Sequence, residues 1–339
     1  MEGRYIYGII KESRQKSFGS CGINADEETY ALPYQDIACV ISKTPALDYS
    51  SMLKEDLGRF LVKHQRVIEK IMKDYTIIPM KFGTNVSGDD EVIEMLKEGY
   101  SRFNELLEVM DGKIELNVAC IWNDLTGIIK EIGEQNNDIR MFKAEISKKP
   151  PSETLQDKIK IGMMIKGVLD TRRKQEEKRI VDFLKGFSED FQIHQVMDDR
   201  MILNCAFLLE KKRERDFDAA LKKLDSEYGQ LVNFRCIGPL PPYSFATCCL
   251  KKVEHSQIND AKELLGLGER ISLEEIKEAY RQLAQKKHPD KDFHNTGHKN
   301  EFENITNAYK LLSGCCRGSG CLTDENKKNG LMLVEILRP

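Results

Sequence analysis

This chain lacks an excess of charge of either sign. Its 52 lysines and arginines stand against 55 aspartates and glutamates, a net of −3 over 339 residues. A general nucleic-acid binder carries a basic excess or a basic face, so no nucleic-acid partner is expected. No apolar run approaches the ~18 residues that span a bilayer. Charges at Glu2 and Arg4 break any signal-peptide core at the N-terminus. No membrane insertion and a cytoplasmic location are the expectations. Also missing are the P-loop, G-x-G-x-x-G, H-E-x-x-H and G-x-S-x-G patterns that carry phosphate, dinucleotide, zinc and serine-hydrolase chemistry, so no catalysis and no cofactor are expected. Ten cysteines are present, none in a C-x-x-C. Adjacent pairs such as Cys248-Cys249 and Cys315-Cys316 suit tetrahedral zinc poorly, and buried reduced thiols are the reading. Cys315, Cys316 and Cys321 form the one cluster worth a metal test, and no metal site is assigned.

Enough is present to fill cores. Hydrophobic residues make up 40% of the chain, and a chain of this length exceeds what one core usually holds, which predicts two or three domains. Arg4 to Ile10 is β-branched and aromatic, a strand buried on both faces, and Ile37 to Ile41 reads likewise. Leu53, Leu57, Phe60, His64, Val67, Ile71 and Tyr75 form one stripe of a long helix. Residues 76–83 form a short strand ended by glycine, with Pro79 at its edge or end because proline donates nothing to a ladder. Asp89 or Asp90 caps the next helix, with Val92, Leu96, Tyr100, Phe103, Leu107 and Met110 inward. Ile114, Leu116, Val118, Cys120 and Trp122 then alternate as in a strand with one covered face.

Pro150-Pro151 marks a boundary. A long helix follows from about Ser152 to Phe187, mixed in charge through Arg172–Arg179. Residues 190–197 and 201–209 form a hairpin, 213–228 a helix and 231–237 a strand, so a second ferredoxin-like unit is expected. The predicted division is 1–124, a connector at 125–152, and 153–252, then a helical module at 258–313 and a tail at 314–339. Strands mixed with amphipathic helices make the fold class α+β.

The helical module carries the sharpest signal. Ser272-Leu273-Glu274-Glu275 is a capping box. The helix it opens turns Leu273, Ile276, Tyr280 and Leu283 inward, and it must end before Pro289. That leaves His288-Pro289-Asp290 on a loop beside Arg281, Lys286 and Lys287. Phe302, Ile305, Tyr309 and Leu312 repeat the stripe on a second helix, making an αα-hairpin. His-Pro-Asp alone would be a polar loop. Within Tyr280-Arg281-Gln282-Leu283-Ala284 through Lys291 it resembles the J-domain of the DnaJ co-chaperones. That resemblance implies contact with a DnaK-type chaperone through His288, Pro289, Asp290, Arg281, Lys286 and Lys287, and stimulation of its ATP hydrolysis. No Gly/Phe-rich linker or Cys-rich zinc domain accompanies it.

The rest of the chain resembles the GvpL/GvpF family of gas vesicle proteins. Three pieces carry the likeness: Tyr5-Ile6-Tyr7-Gly8-Ile9; His64 followed by Pro79-Met80-Lys81-Phe82-Gly83-Thr84; and Gly238-Pro239-Leu240-Pro241-Pro242-Tyr243-Ser244-Phe245. The family implies a ferredoxin-like N-terminal α/β sandwich and a second α/β domain. It also implies a non-catalytic, gas-vesicle-associated accessory protein whose partners are the hydrophobic shell protein and other gas vesicle accessory proteins. A minor structural component of the vesicle, or a J-domain co-chaperone for another client, are the alternatives. Among the motif residues, His64, Pro79, Phe82, Gly83, Thr84, Pro239, Pro241, Pro242 and Tyr243 are candidates for shell-protein binding. Each has an architectural reading as well: His64 sits on an apolar stripe, glycine frees a turn, and the prolines stiffen an extended segment. Leu331–Leu337 is either a late strand returning to a sheet edge or a partner-binding peptide.

Overall fold

The computed structural model describes residues 3–24, 27–44, 49, 52–150, 154–268, 270–286, 296–319 and 331–337. They fall into two compact units, one of residues 1–111 with 246–338 and one of 112–245.

The first unit opens with four strands: β1 (Arg4–Lys11), β2 (Lys16–Ser20), β3 (Glu28–Tyr34) and β4 (Ile37–Lys43). Helix α1 (Lys54–Met72), strands β5 (Ile77–Pro79) and β6 (Asn85–Val86), and helix α2 (Asp89–Val109) follow. The sheet order is β2-β3-β4-β1-β5, with β6 also paired to β1, and every described pairing in it is antiparallel. As its composition predicts, β1 is buried from Tyr5 to Ile10. The α2 stripe buries Val92, Leu96, Phe103 and Leu107 as expected, with Met95 and Leu106 added. Its cap differs from expectation. Gly88 is the N-cap and offers no side chain, while Asp89, Asp90 and Glu91 lie inside the first turn, where their charge favours the positive end of the helix dipole. Asp89 instead receives Arg4 Nε at 2.6 Å.

The second unit is built from β7 (Lys113–Trp122), α3 (Leu125–Gln135), α4 (Asn137–Ile146), α5 (Leu155–Leu184), β8 (Asp190–Ile193), β9 (Met201–Glu210), α6 (Glu214–Tyr228), β10 (Val232–Leu240) and the short α7 (Tyr243–Ala246). Its sheet runs β10-β7-β9-β8, antiparallel throughout. Counted as strands one to four, that is order 4-1-3-2 with helices after the first and third, the ferredoxin-like β-α-β-β-α-β arrangement. The α+β class and the ferredoxin-like second unit are as expected. The N-terminal unit instead lays down four strands before its first helix. The reason is β7: its clean alternation announces a half-covered strand without saying which sheet it joins, and its partners, β9 and β10, lie far on in sequence. The stretch read as a connector is also structured. Asp124 Oδ1 accepts from Gly127 N at 2.8 Å and Asn136 Oδ1 from Ile139 N at 3.1 Å, capping α3 and α4.

The chain then returns to the first unit as β11 (Cys248–Val253), α8 (His255–Leu265), α9 (Leu273–Lys286), α10 (Thr296–Ser319) and β12 (Leu331–Ile336). Strand β12 pairs antiparallel with β11, so the tail segment is a strand, the first of its two readings. Cys315 and Cys316 pack in the core of the three helices, while Cys321 lies outside the described residues. No group of three or more ligating side chains that could hold a metal is found among the described residues.

Candidate functional site

Three local constructions hold the sequence-nominated residues. In the helical module, Ser272 Oγ accepts from Glu275 N at 3.3 Å and Ser272 N donates to Glu275 Oε2 at 2.8 Å, the reciprocal capping box. Helix α9 buries Ile276 fully and lays Leu273, Tyr280 and Leu283 against a core of Ile258, Leu265, Ile305 and Leu312. Tyr280 and Tyr309 stack with ring centroids 4.3 Å apart. Glu254 and Gln257 make a second capping box on α8, and Gly266 ends that helix in the left-handed region. This packing leaves Arg281 exposed on α9. Lys286 ends the helix, while Lys287, His288, Pro289 and Asp290 lie outside the described residues. The core therefore accounts for the hydrophobic half of the motif.

The second construction surrounds His64, which is only 3% exposed. Tyr5 Oη lies 3.0 Å from His64 Nδ1 and accepts from Gly83 N at 3.0 Å. Tyr7 stacks on the imidazole, and Phe82 meets it edge-on at a centroid distance of 5.6 Å. Burial pushes the His64 pKa down to about 4, against a hydrogen bond to the Met80 backbone. A neutral ring donating to the Met80 carbonyl carries its proton on Nε2. Nδ1 is then the acceptor and Tyr5 the donor, so every polar atom in the cluster is matched. Gly83 is needed twice over: its φ is +83°, and a Cβ there would sit 3.3 Å from the Tyr49 ring, which itself packs on Phe82. Thr84 Oγ1 donates to Lys81 O at 2.6 Å and closes the turn. Pro79 ends β5 opposite Gly8, where a missing amide does no harm. The structure thus brings His64, Pro79, Phe82, Gly83 and Thr84 together, around Tyr5 and Tyr7 of the opening strand. A histidine with both ring nitrogens engaged in a closed aromatic cage has no proton to exchange with a substrate.

In the third construction, Gly238 approaches β7 so closely that a Cβ would lie 2.9 Å from the Glu115 carbonyl oxygen and 2.5 Å from Leu116 Cδ2. The Gly238–Pro239 peptide bond is cis. Pro241 and Pro242 then carry the chain into α7, where Tyr243 N donates to Pro241 O at 2.6 Å. Beneath them lies Glu115, 0% exposed, which sequence reasoning missed. Its carboxylate accepts from Ser244 N at 2.7 Å and Ser244 Oγ at 2.9 Å, and burial raises its pKa against those bonds. His194 Nε2 lies 3.2 Å from the same hydroxyl. Serine, histidine and carboxylate in a row suggest a hydrolase, but the polarity is reversed. The serine donates to the carboxylate and the imidazole to the serine, whereas nucleophile activation needs the imidazole to accept the serine proton. The only sequence sign of Glu115 is one acidic residue inside an apolar strand; its partner is 129 residues away.

Geometry of this kind defines a two-unit α+β protein whose marked residues lock turns onto sheets, with a three-helix module in the first unit. Comparison with known proteins gives the class its family. The model for gas vesicle synthesis protein GvpL/GvpF matches residues 3–247, so the chain belongs to that family, and the model for the DnaJ domain matches residues 260–315. Gas vesicle protein F of Streptomyces sp. (strain CB03234) is 27% identical over 247 residues, covering 71% of this chain and 98% of that one. The crystal structure of GvpF from Anabaena sp. PCC7120 superposes with a TM-score of 0.62 at 21% identity, covering 73% of this chain and 99% of that chain. GvpF from Microcystis aeruginosa gives 0.59 at 22%, covering 73% and 100%. The chaperone protein DnaJ of Herminiimonas arsenicoxydans is 48% identical over 54 residues, 16% of this chain and 14% of that protein.

Proposed function

We propose that this chain is a non-catalytic co-chaperone of gas vesicle assembly. It binds the hydrophobic shell protein through its GvpL/GvpF region and recruits a DnaK-type chaperone through His288, Pro289, Asp290 and the basic end of α9. One observation carries the reading: a region matching nearly the full length of known GvpF proteins continues in the same chain into a J-domain. A shell subunit with a large apolar surface associates wrongly unless shielded. Covalent linkage of holder and recruiter raises the chaperone concentration at the client without any new contact. The division of labour places client holding in residues 1–252 and recruitment in 258–313. The protein acts in the cytoplasm, at growing vesicles and beside other accessory proteins. Among the described residues no helix is long and apolar enough to cross a membrane.

The test uses the full chain. It should retain the shell protein on co-purification and stimulate a DnaK-type ATPase, and His288→Gln should abolish the stimulation while leaving retention intact. Vesicles built equally well with His288→Gln would sink the recruiting half. Stoichiometric presence in washed mature vesicles would favour a structural component instead.

A further inference from the structure

We infer that the C-terminal strand β12 is a clasp that fixes the J-domain to the N-terminal unit, so that a docked chaperone meets the client at a set position. Only its functional consequence rests on the co-chaperone reading. The ladder between β11 and β12 runs through six residue pairs, from Cys248↔Ile336 to Val253↔Leu331, and Leu337 N extends it to Thr247 O at 2.8 Å. On its other side β11 is tied to the family turn: Met80 bridges Cys248 in parallel, and Lys81 N donates to Cys248 O at 2.7 Å. Strand β11 is therefore held along one edge by the tail and, at Cys248, by the turn that closes over His64.

The far end of β11 packs into the core of the three helices. Val253 is fully buried in the helical core, and a single residue, Glu254, separates the strand from α8. A flexible tether of ten residues would let a module wander by about 17 Å; one residue gives no such slack. Helix α10 is seated as well as spanned, for both it and β12 contact α2. Leu312, Ser313, Cys315 and Cys316 are all buried, an arc of about 160° at 100° per residue, wider than the stripe that a hairpin alone covers. Both strands lie outside the residues matched by either family model. The clasp therefore belongs to the join. Without β12, β11 would present an open strand edge and the J-domain would turn about Glu254.

Hydrogen exchange on the full chain and on a chain ending at residue 330 tests this. The expected result is protection of amides in 248–253 and 331–336 in the full chain. In the shortened chain protection of 248–253 should fall at least tenfold, while α9 and α10 keep theirs. Free exchange of 331–336 in the full chain, or unchanged protection of 248–253 on truncation, overturns the clasp. A second variant guards against misfolding. Glu335 lies opposite Cys249, within reach of a cross-strand disulfide. Glu335→Cys should cross-link mainly to Cys249 on mild oxidation and lose that bond when Cys249→Ser is added; indiscriminate cross-linking overturns the register. ATPase stimulation of a DnaK-type chaperone is read on the same samples. Its absence with the exchange pattern intact would count against the recruiting function and leave the clasp standing.

Discussion

The cluster around His64 and the cluster around Glu115 solve one problem, one with a buried base and the other with a buried acid. Each lies under a segment marked by proline and glycine, and each buries a titratable side chain bonded to the backbone of that segment. At His64 the buried group is a base kept neutral, its nitrogens taken by Tyr5 Oη and the Met80 backbone. At Glu115 it is an acid that accepts two hydrogen bonds from Ser244. Burial disfavours the charged form in both, so it lowers the histidine pKa and raises the glutamate pKa. The two locks therefore weaken in opposite directions of pH. In both clusters the buried polar atoms hold a turn to a sheet.

The largest expected effect separates the two at acid pH. A His64 pKa of about 4 in the fold, below the usual 6.5 of the unfolded chain, gives a contribution fully present above 6.5 and lost as pH falls through 4. The difference is worth up to about 3 kcal/mol. His64→Phe should cost about 1–2 kcal/mol at pH 7 through the orphaned Tyr5 hydroxyl and Met80 carbonyl. It should also flatten the loss of denaturant midpoint between pH 6.5 and 4; a slope equal to wild type would show that His64 is not the acid-sensitive group. Glu115 comes next and has the reverse sign. Its raised pKa means that stability is highest below the ordinary carboxylate value and falls as pH rises through the folded one. Glu115→Ala should cost about 2 kcal/mol by leaving the Ser244 donors unmatched. Glu115→Gln should cost less and remove the alkaline-going slope. Gly83→Ala follows at about 1–2 kcal/mol, from the positive φ and the Tyr49 ring, and should appear as a lower melting temperature with the secondary structure retained.

The sequence revealed whatever depends on neighbours along the chain. The alternation of β7, the capping box at Ser272 and the turn at Gly83 are short-range patterns found where they lie, and so are the α1 stripe from His64 to Ile71 and most of the α2 stripe. Leu53, expected on the first, is exposed just outside the helix, and Tyr100, expected on the second, is only half-buried. Partners chosen across a sheet were not legible. Strand β7 looks the same whichever sheet it joins, and Glu115 has no meaning until the segment after β10 folds over it. The two helices of the supposed connector were legible in principle, because Asp124 and Asn136 are sound N-caps and Ile128, Ile132, Ile139 and Ile146 recur at helical spacing. The proline pair beyond them drew the boundary instead. The tail strand announced itself by composition, but nothing in its residues names β11 as its partner.

The smallest effect tests whether the J-domain responds with the His64 side of the comparison. Ser272→Ala removes the oxygen that accepts from Glu275 N and should cost about 1 kcal/mol at the start of α9. That corresponds to roughly fivefold faster exchange where opening is local. The cap lies beside Ile271, which shares one buried core with Val253 at the end of β11. A clasped J-domain therefore passes the loosening to the amides of 248–253, which should exchange faster in the variant, with β7 as the unchanged internal reference. Were α9 to fray while 248–253 kept full protection, the J-domain would be responding alone, and the join through β11 would be a covalent path without mechanical coupling.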